Sequence, residues 1–100
     1  MLTNVSTQFT LEDAKKIGDS LDIDWHKFTA EQFAIGLNVE LEHGSYHPAT
    51  DVTHNDPILT GKLVLAHLNE FPDYYTRLEK MKAEARYYYH SWELDPGVWR

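Results

Sequence analysis

Cysteine is absent from this 100-residue chain, which removes disulfides, thiolate-bound metal centres and any cysteine nucleophile. Positive charge is scarce as well: nine Lys and Arg stand against sixteen Asp and Glu, a formal net charge of −7. A sequence-independent grip on nucleic acid is made by clustered cations. Only Arg77 to Arg86 gathers several, interleaved with Glu79 and Glu84, so nucleic acid is not an expected partner. No apolar run approaches the ~20 residues that span a bilayer. The opening MLTNVSTQFT has neither the basic start nor the apolar centre of a signal peptide, so no membrane association is expected. A glycine-rich phosphate loop is missing too, since Gly61-Lys62 lacks upstream glycines, and Ser6, Ser20, Ser45 and Ser91 stand in no nucleophile motif. These absences leave catalysis little to work with and suit a reducing, cytoplasmic setting.

What is present is an ordinary globular composition, with 42% hydrophobic and 25% charged residues, enough for one domain. Thr10 with Asp13 has capping-box spacing, and Leu11, Ala14, Ile17, Gly18 and Leu21 follow at helical intervals, predicting a first helix over 11–21. Ile23, Trp25 and Phe28 are apolar plugs in the connection after it. Thr29 with Gln32 repeats the start signal, and Gly44 is placed to end a second helix over 30–43. The segment 44–55 is rich in turn residues and reads as a loop. Asp56-Pro57 pairs a capping carboxylate with proline at the first helical position and opens a third helix over 57–70. Its stripe is Thr60, Leu63, Val64, His67, Leu68 and Phe71. Pro72 forces a break, and Tyr74, Leu78, Met81, Ala85, Tyr88 and Trp92 then carry the best helical period in the chain, to about residue 92. Tyr75, Tyr87 and Tyr89 widen that stripe with rings whose hydroxyls can stay wet. With no alternating apolar run, the expectation is an all-α fold: a small bundle of about four helices, the C-terminal one longest, forming a single domain over 1–92 with a tail over 93–100.

The blocks VELEHG (Val39–Gly44) and TGKLVLAHLNEFPDYYTRLEKM (Thr60–Met81) resemble an uncharacterised family of small bacterial and bacteriophage proteins. Further matches are Ile17, Gly18, Leu21 to Trp25, Phe33, Gly36, Asp51 to Thr53 and Asp56-Pro57, covering about residues 11–85. The resemblance brings no reaction with it. It implies a bacterial or phage protein, either in the host cytoplasm or associated with a virion.

Two sets of residues are candidates for function. Glu40 lies within the apolar face of the second helix, and Glu40-x-x-His43 there faces His67-x-x-Glu70 on the third. Acids and imidazoles three apart share one side of a helix, as in metal-binding helical bundles, so Glu40, His43, His67 and Glu70 could hold zinc, manganese or iron. A hydrolase built on metal-bound water would need that cluster open to solvent. The alternative reading is a buried polar cluster of Glu40 and His67 that keeps two helices in register, because a buried carboxylate must be paired. Asp73, His47, Asp51, His54 and Asp56 are further conceivable donors, more simply read as turn and capping residues. The second set is Tyr87, Tyr88, Trp92 and Trp99, more rings than one small core hides and residue types enriched at binding hot spots. They predict a surface for a protein partner or a homo-oligomer.

Overall fold

The computed structural model describes residues 8–46 and 48–90, and for residues 45, 46 and 90 the backbone alone. Four α-helices account for most of these residues: α1 (Leu11–Ser20), α2 (Ala30–Tyr46), α3 (Pro57–Glu70) and α4 (Tyr74–His90). No strand occurs among them. Helices α2 and α4 each span 17 residues, so the described part of the C-terminal helix shares its length with α2.

Local chemistry accounts for most of the helix starts. Thr10 and Asp13 close a reciprocal capping box, each side-chain oxygen accepting from the other's backbone N–H at 3.0 Å. The carboxylate of Asp56 accepts from the N–H groups of Ile58 and Leu59 at 2.8 and 3.0 Å, with Pro57 in the position that has no N–H to satisfy. At α2 only half of the expected box forms. Thr29 Oγ1 accepts from Gln32 N–H, while the Gln32 amide donates across the bundle to Thr76 of α4 instead of returning to the cap.

The stop of α2 also differs from the sequence expectation. Gly44 does not adopt a left-handed conformation, and the helix runs on to Tyr46. The glycine answers a tertiary need: a methyl group there would lie 2.9 Å from Asp51 Oδ1, so its absence lets the following segment fold back against α2. That segment contains a short 3-10 turn, Pro48–Thr50, and is tied by Asp51 Oδ1 accepting from His54 N–H at 2.8 Å. His54 and Asn55 take the positive φ angles of 50° and 65° that turn the chain into α3.

Helices α2 and α3 each touch all the other helices, and the core lies along their contact. Ala14, Phe28, Phe33, Leu37, Val64, Leu68 and Tyr75 form its buried cluster. Trp25 and Phe28 close it from below, packing around Phe33 with ring centroids 5.8 to 6.3 Å apart. At the N-terminal end, Asn38 clamps Phe9 by accepting from its N–H at 2.7 Å and donating to its carbonyl at 2.9 Å.

Candidate functional site

Glu40 of α2 and His67 of α3 meet in the interior, with His67 Nδ1 3.2 Å from Glu40 Oε2. Their side chains retain only 11% and 29% of their exposure. The pairing follows from helical phase: Glu40 shares a face with Phe33 and Leu37, and His67 shares one with Val64 and Leu68, and those two faces form the core.

A third helix completes the cluster, through a residue whose role sequence reasoning missed. Tyr75 of α4 is 2% exposed, and its hydroxyl donates to Glu40 Oε2 at 2.8 Å while lying 3.0 Å from His67 Nδ1. This hydroxyl is not wet, as a place on the edge of the α4 stripe suggests, but holds three helices together. Gly36 makes room for the ring: a methyl group there would fall 2.5 Å from Val64 Cγ1 and 2.6 Å from Tyr75 Cε2. A signal was available in the sequence. A carboxylate on an apolar face needs a donor, and the double tyrosine of PDYY is the nearest phenol pair on a neighbouring helix.

The protons of the cluster can be assigned from valence. Tyr75 has one hydroxyl proton and gives it to Glu40. Burial first, and then the adjoining Glu40 carboxylate, push its pKa above the usual phenol range, so the proton stays in place. An unprotonated Nδ1 would then set its lone pair against both oxygens. Nδ1 therefore carries hydrogen and donates, which in the neutral form of the ring leaves the lone pair on Nε2. The ring is held flat against Tyr74, with centroids 4.4 Å apart and planes 5° from parallel.

Beside the cluster lies a cavity of about 310 Å³. Glu40, His43 and His67 belong to its wall, together with Tyr74, Thr53 and Lys82. His43 is exposed, and Glu70 is exposed and stands outside the wall. Among the described residues no three His, Asp or Glu side chains gather closely enough to hold a metal ion. Asp73 pairs instead with Arg77, whose Nε reaches both carboxylate oxygens at 2.9 and 3.0 Å. Asp51 and Asp56 are engaged with backbone N–H groups, and His47 lies outside the described residues.

The other candidate set is on α4, where Tyr87 is 79% and Tyr88 50% exposed. Trp92, Trp99 and the whole tail 93–100 lie outside the described residues.

Fold and cluster together define a small all-α bundle in which a Glu–Tyr–His hydrogen-bond set ties three helices. The chain belongs to the family described as "Protein of unknown function (DUF5661)", which matches residues 14–84. That span holds the entire cluster and ends within α4, ahead of the exposed tyrosines. No curated protein and no solved structure matches the chain.

Proposed function

We propose that this protein is a protein-binding module that presents the distal half of α4 to a protein partner or to a second copy of itself. The observation that carries this reading is the exposure of Met81 at 53%, Tyr87 at 79% and Tyr88 at 50% on a helix that has no buried residue after Tyr75 among those described. Tyrosine brings large contact area at low entropic cost, and grouped exposed apolar side chains mark interaction surfaces. Trp92 and Trp99 follow closely in the sequence and add to the same reading.

A bacterial or bacteriophage origin, in the host cytoplasm or on a virion, goes with this reading and is supported by the family resemblance. No described helix is long and apolar enough to cross a membrane. The test compares the parent with a Tyr87→Ser/Tyr88→Ser variant by sedimentation equilibrium and by affinity capture from bacterial lysate. Self-association or a captured protein in the parent, lost in an equally folded variant, is the expected result. A monomeric parent that captures nothing the variant does not capture would end the proposal.

The second reading is a divalent metal, zinc, manganese or iron, on Glu40, His43, His67 and Glu70. It is supported by three of the four reaching one cavity, and ranks lower because Glu70 is elsewhere and Glu40 already accepts from Tyr75. Elemental analysis of purified protein tests it directly: stoichiometric metal would raise it to first place.

A further inference from the structure

The cavity beside the Glu–Tyr–His cluster contains polar capacity that the fold does not use. The Nδ1 proton of His67 is committed to Tyr75 and Glu40, while Nε2 has no hydrogen-bond partner among the described residues. Thr53 is 3% exposed and lines the same cavity, and its hydroxyl likewise makes no hydrogen bond with the described residues. Neither atom is sealed from solvent, so both keep hydrogen-bonding capacity for water or for a molecule that enters the cavity. The rest of the wall is largely apolar, from Val39, Leu63, Leu78 and the ring of Tyr74, and the volume stands at the small end of the ~300–1,000 Å³ typical of ligand sites.

We propose that this cavity binds a small uncharged alcohol or phenol, whose hydroxyl donates to His67 Nε2 and accepts from Thr53, with its hydrocarbon body against Leu63 and Leu78. The charge pattern favours an uncharged ligand. An anion beside the His67 ring would face the Glu40 carboxylate 3.2 Å from Nδ1, and a cation would share the wall with the Lys82 ammonium. A hydroxyl is the simplest group that donates and accepts at once. The Glu40–Tyr75 pair is then a positioning device, because it fixes the tautomer that leaves Nε2 free to accept.

The experiment is nitrogen-15 NMR of the labelled protein, with the His67 ring signals assigned from a His67→Gln variant and four probes titrated: phenol, toluene, benzoate and benzylamine. Free protein is expected to hold His67 with hydrogen on Nδ1, and phenol to shift the Nε2 signal saturably. Toluene, benzoate and benzylamine are expected to bind at least about tenfold more weakly, the value of roughly one hydrogen bond. Val52 borders the cavity yet is 68% exposed, so Val52→Trp can narrow the entrance without disturbing the core; it and Thr53→Val should each weaken phenol about tenfold or more with a cooperative thermal transition retained. His67 found with hydrogen on Nε2, a charged or hydroxyl-free probe binding as well as phenol, or no saturable response to phenol would each overturn the proposal.

Discussion

The two halves of α4 share one apolar period but not one fate. Near its start, Tyr75 is buried against Gly36 and Val64 and Leu78 is half-buried. Further along, Met81, Tyr87 and Tyr88 are at least half exposed. The proximal half lies over α2 and α3, where Glu40 supplies an acceptor for a phenol. The distal half keeps the spacing of a core helix but has no buried residue among those described. Periodicity thus reports that a helix has an apolar stripe, and the neighbouring elements decide how much of it is covered.

The contrast between the two halves of α4 depends most on Tyr75. Tyr75→Ala removes a fully buried ring and leaves Glu40 without its donor, so chemical denaturation should show a loss of ~3–5 kcal/mol; a loss comparable with that at Tyr87 would erase the distinction between the two halves. Gly36→Ala should come next, at ~1–3 kcal/mol, because the added methyl strikes Val64 and the Tyr75 ring, and a variant as stable as the parent would mean that α4 sits farther from α2 than described.

Alkaline pH sharpens the same point without a cavity. The folded-state pKa of Tyr75 is raised by burial and by Glu40, so its contribution is fully present below the unfolded value of ~10 and is lost as pH rises above it. The parent should therefore lose stability on passing above pH ~10, and Tyr75→Phe should lose less over the same range. Equal losses in parent and variant would place the alkaline transition elsewhere. Asp56→Ala tests a purely local feature, with an expected cost of ~1 kcal/mol from the two orphaned N–H groups of α3. Smallest of all, Tyr87→Ala should alter the unfolding free energy by no more than ~0.5 kcal/mol while abolishing partner binding if the distal face is an interface.

What could be read from the sequence divides along the same line between local and tertiary causes. The capping box of Thr10 and Asp13 and the start at Asp56-Pro57 are settled within four residues, and the four-helix architecture follows from such signals with the apolar spacing. Glu40 and His67 could be placed on inward faces because their apolar neighbours set the phase. Gly44 was open to misreading since its reason, the Asp51 side chain, arrives from another segment. Phe71 joins the α3 stripe on a helical wheel, yet it is 51% exposed, because the extended backbone before Pro72 ends the helix at that residue. Tyr75 escaped for a related reason: its place is set by an acceptor on α2 and a gap at Gly36, neither of which a single-helix pattern contains.

The Tyr75 hydroxyl, given to Glu40, joins α4 to the core. A double-mutant cycle with Glu40→Gln and Tyr75→Phe, measured by urea unfolding, tests it most directly. A coupling of ~1 kcal/mol or more between the two sites is expected. Changes that add to within ~0.3 kcal/mol would show that the two groups do not act on one another and would contradict it.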